Sequence, residues 1–395
     1  MAWLRRNRIA LFVVVAAGCS GNGGAPDGGT PDGAAPDGAT PDAPDGSTLG
    51  TAGVLRDYLG NPAFPDDFWQ PATGAGSGVD KATLDQAAAH IATSGWEIHA
   101  MLVARNGRLV FERYGWNTGA NPVDPNETPR QVVPSERHLT FSTTKSFLSA
   151  LIGIALADGS LSGLDVKAAA SFPDYAALNP TPEKASITLA DLLTMRSGLQ
   201  FTEGEQSTFG APDPARAMFA RPVIDLPVGT VWNYSTGGSD VIAEMLRVAT
   251  QQTPLAYARA KLFGPIGIVD PAWLAGASGT NHGGFGLDLT AREMARFGEL
   301  VRNRGAWNGS QVVPAAWIDT ATAAKCASTW GMQYGYHFWV FNVPGFVGTI
   351  GAFGQQIFVN RDLGLVVVFT ANLPSEQANT IFEGIIRDYV VPAVR

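Results

Sequence analysis

The sequence predicts an α+β fold, with an antiparallel sheet built from the N- and C-terminal segments, flanking helices, and a largely helical region inserted between them. Three observations carry this reading. Near the start, the apolar runs Glu97–Ala104 and Arg108–Tyr114 flank Asn106-Gly107, a strong short-range hairpin signal. Near the end, Gln356–Asn360 and Leu363–Ala371 are strand-like and joined by a turn at Arg361-Asp362. An amphipathic stretch from Ser375 to about Val390 follows them and reads as a helix.

Between these ends the helical signals follow one another. A nearly unbroken apolar stretch opens at Ser142 and stops at Asp158-Gly159, where glycine supplies a C-terminal cap. Leu192–Leu199 reads as a structural helix ending at Gly198, with Arg196 a bystander. Thr290-Ala291-Arg292-Glu293 is a capping box that opens the Met294–Arg302 helix.

The chain divides into three parts. Residues 1–19 read as a lipoprotein-type signal peptide: Arg5, Arg6 and Arg8 precede an apolar run from Ile9 to Ala17. That run is far short of the roughly 20 residues needed to span a bilayer. It ends in Ala16-Ala17-Gly18-Cys19, which resembles a bacterial lipobox, so Cys19 is the expected lipidation site. A plain secretory signal cut nearby is the alternative, and either implies export. Residues 20–49 repeat Pro-Asp-Gly, as in Pro26-Asp27-Gly28 and Pro31-Asp32-Gly33. With no large apolar residue before Leu49 they bury no core and read as a semi-extended tether between membrane and domain. Residues 50–395 are long enough for one large domain or two and carry the strand and helix signals above.

Charge and cysteine usage narrow the function classes. The formal net charge is −8, and the domain stays acidic once the signal arginines and linker aspartates are set aside. Nucleic acid is therefore not an expected partner. His90, His99, His138, His282 and His337 are scattered without metal-ligand spacing, and no glycine-rich phosphate loop is evident, so neither metal nor cofactor is expected. Cys326 is then a single thiol, read as a small buried hydrophobe.

Ser142-Thr143-Thr144-Lys145 carries the chemistry. Three residues is nearly one helical turn, so serine and lysine project to one face within mutual reach. A serine hydroxyl needs a base to take its proton, and a lysine amine serves only when its pKa is pulled down. The first turn of a buried helix does this, through desolvation and the positive end of the macrodipole. A solvated lysine beside a capping serine would give the same four letters.

Three further elements lie downstream: Leu192–Leu199, then Pro227–Gly237 with Trp232-Asn233-Tyr234-Ser235-Thr236-Gly237, then Thr349-Ile350-Gly351-Ala352-Phe353-Gly354-Gln355 before a strand. With the Ser-x-x-Lys tetrad, and Gly283–Leu287 ahead of the capping box, they resemble the serine β-lactamase and penicillin-binding-protein superfamily. The likeness is to its class C-like branch of esterases, DD-peptidases and 6-aminohexanoate-oligomer hydrolases. The resemblance implies Ser142 as nucleophile, Lys145 as general base and Tyr234 as proton shuttle to the leaving group. It implies an oxyanion hole from the backbone N–H groups of Ser142 and Ala352, with Thr236, Thr349, Ile350 and Gly351 lining the substrate site. His282, in a glycine-rich loop, is given a structural role.

Two departures stand out. Thr236 replaces an asparagine common in the second motif, and Thr349 replaces the cation of the third. That cation docks the carboxylate of a β-lactam or a terminal D-Ala, so its loss shifts the expected substrate to small esters or amides without one. The expectation is a cell-envelope serine hydrolase working through an acyl-enzyme. A DD-peptidase or weak β-lactamase, and a non-catalytic envelope lipoprotein, remain the alternatives.

Overall fold

The computed structural model describes residues 54–395, apart from 121–123, 125, 176 and 205–208. The signal segment, Cys19 and the Pro-Asp-Gly tether lie outside the described residues. One antiparallel sheet organises the rest. Its strands, numbered within that sheet, are β1 (Arg56–Asp57), β2 (Ile98–Arg105), β3 (Arg108–Tyr114), β4 (Cys326–Ala327), β5 (Gln333–Tyr334), β6 (Trp339–Val340), β7 (Phe346–Gly351), β8 (Gln355–Asn360) and β9 (Leu365–Ala371). Their spatial order is β1-β3-β2-β9-β8-β7-β6-β5-β4. The N-terminal hairpin therefore pairs with the last strand of the chain, Met101 facing Phe369 and Val103 facing Val367.

The sheet is buried on both faces, which is why its central strands read as continuous apolar runs. Ala100, Leu102, Ala104, Val366 and Val368 face one cluster, and Met101, Val103, Val367 and Phe369 the other. The second face is covered by helix α1 (Lys81–Ser94), through Leu84, Ala87 and Ile91, and by the C-terminal helix Ser375–Ile385, through Ala378, Phe382 and Ile385. On the first face lies the helical region: α2 (Thr144–Ala157), α3 (Leu189–Leu193), α4 (Thr236–Thr250) and α5 (Ala291–Arg302). The capping box of α5 forms as expected, Thr290 accepting from Glu293 N–H and Glu293 accepting in return from Thr290 N–H. Among the described residues no helix is long and apolar enough to cross a membrane.

Two details differ from the sequence reading and a third adds to it. The middle of the chain is not wholly helical, since β4, β5 and β6 extend the sheet beyond β7. Strands of two residues carry no detectable period. The helix expected to end at Gly198 ends at Leu193, because Met195 turns to φ 60° two residues beyond it. Gly198 sits further along, in the following loop at φ 71°. Thr349-Ile350-Gly351 precedes the strand β8 as expected, and in addition closes a strand of its own, β7, in register with Gln355–Ile357 of β8.

Candidate active site

Ser142 lies in a single 3-10 turn, Phe141–Thr143, that runs directly into α2. Gly351 brings β7 against this turn. A Cβ at Gly351 would collide with the Thr140 carbonyl, so only glycine permits the approach. Thr143 fastens the junction, donating to the Gln355 carbonyl (2.7 Å) and meeting the Thr349 hydroxyl at 2.9 Å. Because the single Thr143 proton goes to Gln355, Thr349 must donate its own to Thr143. The Thr349 hydroxyl also accepts from Ile357 N–H at 3.2 Å, and the side chain is 1% exposed. Its polar atom is committed to the interior, while Ile350 on the opposite strand face is partly exposed.

Lys145 enters from the first turn of α2 and is fully buried. Its amine contacts Ser142 Oγ at 3.0 Å, Thr236 Oγ1 at 2.8 Å and the Gly284 carbonyl at 2.9 Å. Burial pulls the amine down to about 8, against the charges of Glu203 and Asp240, which raise it. About a tenth of the amine is then neutral at pH 7, and about half at pH 8. Gly284 is required for the contact, since a Cβ there would come within 2.6 Å of Thr236 Cγ2 and 3.1 Å of Lys145 Nζ.

Tyr234 comes from the segment leading into α4, whose N-terminus is capped by Ser235 accepting from Gly238 N–H. Its ring lies under the ammonium position, 4.7 Å from Lys145 Nζ, and the Ser142 hydroxyl is near enough to moderate the rise of its phenol. Burial, with a smaller contribution from Glu203, pushes the phenol well above its ordinary value. It is therefore a neutral proton donor at physiological pH.

Glu203 belongs to this site, although no motif marks it. Thr236 donates to it twice, through Oγ1 (2.6 Å to Oε1) and through N–H (3.1 Å to Oε2). The carboxylate can only accept, so the Thr236 hydroxyl proton is spent on Glu203 and Thr236 offers Lys145 a lone pair. The Gly284 carbonyl likewise only accepts. A neutral Lys145 must therefore donate its two protons to Thr236 and Gly284, leaving its lone pair for the Ser142 hydroxyl. That is the orientation a general base needs.

The sequence profile of the family described as Beta-lactamase matches residues 84–385, a span that includes Ser142, Lys145, Glu203, Tyr234, Thr236, Gly284 and Thr349. The chain belongs to the beta-lactamase family. No curated protein matches it. Among solved structures it is similar to a penicillin-binding-protein homologue from Caulobacter crescentus, with 18% identity over 79% of this chain and 96% of that one, at a TM-score of 0.65. It is also similar to a family VIII carboxylesterase, with 17% identity, coverage of 79% and 96%, and a TM-score of 0.63. A protein assigned as a 6-aminohexanoate-dimer hydrolase from Bacillus anthracis covers 85% of this chain, with 89% of its own length, at 20% identity and a TM-score of 0.63. At these identities the likeness is one of fold, and the family is one of serine hydrolases.

In this beta-lactamase-family chain the residues flanking the expected oxyanion donors are strained. Phe141, before Ser142, has φ 47°, and Phe353, after Ala352, has φ 59°; their rings meet edge-on with centroids 5.2 Å apart. Left-handed backbone at a bulky residue costs about 1–3 kcal/mol and persists where packing enforces it. His282 stacks on Phe285 (4.3 Å), and its Nδ1 lies 3.5 Å from Asp240 Oδ1 without a hydrogen bond between them. The Trp273 indole donates to the His282 carbonyl at 2.7 Å, in keeping with a structural role. His337, buried beneath α2 with Nδ1 3.3 Å from the Lys145 carbonyl, is pushed down to about 3 by burial and by Lys145, so it stays neutral. Cys326 is partly buried, its thiol directed towards the Thr194 carbonyl at 3.7 Å. Among the described residues no group of three or more His, Cys, Asp or Glu side chains is gathered to hold a metal ion.

Proposed function

We propose that this protein cleaves small ester or amide substrates through an acyl-enzyme on Ser142. One observation carries the reading: a buried Lys145 amine 3.0 Å from Ser142 Oγ, with its other contacts fixed by groups that can only accept. Ser142 attacks the substrate carbonyl as Lys145 takes its proton. The tetrahedral oxyanion is held by the N–H groups of Ser142 and Ala352, where each donor is typically worth about 3 kcal/mol. Collapse expels the alkoxide or amine, which takes a proton from Tyr234, and Tyr234 recovers one from Lys145. Water then attacks the acyl-enzyme by the same route, releasing the acid and regenerating Ser142.

The committed hydroxyl of Thr349 supports substrates without a carboxylate beside the scissile bond, in preference to β-lactams and D-Ala-terminated peptides. Ile350 and Gly351 remain the part of β7 available to line such a substrate. Export, with a lipid on Cys19 and the Pro-Asp-Gly tether, completes the proposal and rests on the basic and apolar pattern of residues 5–19. Fluorophosphonate labelling, with p-nitrophenyl butyrate hydrolysis on residues 50–395, tests the chemistry. Both should vanish in Ser142→Ala, and labelling that survives there would overturn it. Fractionation of cells making the full chain tests the anchor, since Cys19→Ala should release the protein from membranes.

A further inference from the structure

Tyr234 is one of five aromatic side chains packed together, with Trp232, Trp330, Tyr334 and Trp339. Four of them are buried, whereas Trp330 is 51% exposed. It stands at the tip of the hairpin between β4 and β5. That tip is held by Ser328, whose hydroxyl donates to the Met332 carbonyl (2.8 Å) and accepts from Trp330 N–H (3.2 Å). One side of the indole lies on Trp339, the rings within 11° of parallel and 5.3 Å apart. Tyr234 is 4.8 Å from it and Trp232 meets it edge-on at 5.6 Å. The ring is thus fixed on one side and open to water on the other.

A single exposed apolar side chain needs no explanation in itself. The place of this one does, because Lys145 Nζ is 4.7 Å from the Tyr234 ring and Trp330 is the next ring outward. We propose that Trp330 forms the wall of a leaving-group subsite for aromatic or arylalkyl alcohols and amines. The inference rests on the hydrolase reading above. In that reading Tyr234 protonates the departing oxygen or nitrogen, which must therefore lie within hydrogen-bond reach of its hydroxyl. The substituent on that atom then lies beside the residues packed around Tyr234. Of the four packed there, Trp330 alone offers a largely exposed ring. A flat ring on the leaving group can stack there, offset, at the ordinary aromatic separation. Preorganisation favours this, because the hairpin tip and Trp339 already hold the indole in place.

Benzyl acetate and ethyl acetate release alcohols of similar acidity from the same acyl group, so their comparison isolates the ring. Trp330→Ala should lower kcat/KM for benzyl acetate by about 3- to 10-fold, chiefly through KM, and leave ethyl acetate near its starting value. Trp330→Phe should recover most of the loss. Methyl phenylacetate, with its ring on the acyl side, should be indifferent to both variants. Equal losses for benzyl and ethyl acetate, or a loss that follows the acyl ring, would overturn the subsite. If neither ester is hydrolysed in a Ser142-dependent way, it is the hydrolase reading that fails. The subsite is then judged by benzyl alcohol binding, followed by tryptophan fluorescence on the Ser142→Ala protein. Saturable binding that Trp330→Ala removes supports it, and absence of saturable binding refutes it.

Discussion

The Thr236 hydroxyl gives its only proton to Glu203, 2.6 Å away, and so meets Lys145 with a lone pair alone. Replacing a carboxylate that accepts twice by an amide breaks this one-way arrangement. In Glu203→Gln one contact to Thr236 becomes a donor, the Thr236 hydroxyl can turn its proton towards Lys145, and the amine lone pair is drawn from Ser142. The plateau of kcat/KM should fall by about tenfold or more, short of the 100- to 10,000-fold expected for losing the base itself. The loss of negative charge lowers the amine pKa as well, because Glu203 raises it. The acidic limb of the profile should therefore move to lower pH while the plateau drops. A lower plateau with an unmoved limb would mean that Glu203 acts only by packing.

The wild-type pH profile follows from the Lys145 value of about 8. Only the neutral amine accepts a proton, so kcat/KM for a neutral ester should rise with a single deprotonation and level off above that pH. Stability carries the same signature. The folded-state value lies below the ordinary 10.5, so the native state binds fewer protons than the unfolded chain between pH 8 and 10.5. Wild-type stability should rise across that window. At pH 7 the buried charge costs on the order of 3 kcal/mol. Lys145→Met should cost hydrolysis about 100- to 10,000-fold yet keep or raise stability at pH 7, with its advantage shrinking from pH 8 to 10.5. Urea denaturation of both proteins across that range measures it, and a constant difference would contradict the assignment.

Gly284→Ala tests the geometry without touching a reacting group. The added methyl lies 2.6 Å from Thr236 Cγ2 and 3.1 Å from Lys145 Nζ, so one of the two must yield. Overpacking of this kind costs about 1–3 kcal/mol. The protein should fold, with Tm modestly lowered, and lose at least tenfold in kcat as the amine shifts from Ser142, a displacement to which catalysis is sensitive. Unchanged kcat would show that the Lys145 position is not set from this side.

Much of this arrangement was legible in the sequence, for reasons that differ between residues. Asn106-Gly107 announces its hairpin because the tight turn needs left-handed backbone, and both residues take it, at φ 48° and 79°. Ser142 and Lys145 are recognisable because a serine and its base need that spacing on a helix, and Tyr234 through the resemblance of its motif to one in a known family. Glu203 was not, since its partner Thr236 is 33 residues away and only the fold brings them together. Phe141 and Phe353 were hidden for the opposite reason. Bulky aromatics disfavour φ values of 47° and 59°, so local preference argues against the conformation that tertiary packing imposes. Trp330 reads as one more apolar residue until its hairpin places it beside Tyr234.

Substrate choice turns on Thr349. Its proton goes to Thr143, whose own goes to Gln355, so this strand position offers an incoming carboxylate neither a cation nor a free hydroxyl. A β-lactam or D-Ala-terminated peptide must shed water from that carboxylate on binding, and neutral hydrogen bonds repay this about half as well as charge-assisted ones. A neutral short-chain ester brings no such cost. Steady-state rates should therefore show clear hydrolysis of p-nitrophenyl butyrate, and slow acylation by benzylpenicillin followed with a fluorescent analogue. Thr349→Val separates the two roles of the side chain. It leaves the Thr143 hydroxyl without its donor and takes one acceptor from the Ile357 N–H, so stability should fall while the ratio of ester to penicillin rates stays the same. A ratio that shifts sharply would show that Thr349 touches substrate after all. Rapid penicillin turnover by the unaltered protein would mean that a cation elsewhere in the site, with Arg196 the first to remove, has taken over the missing charge.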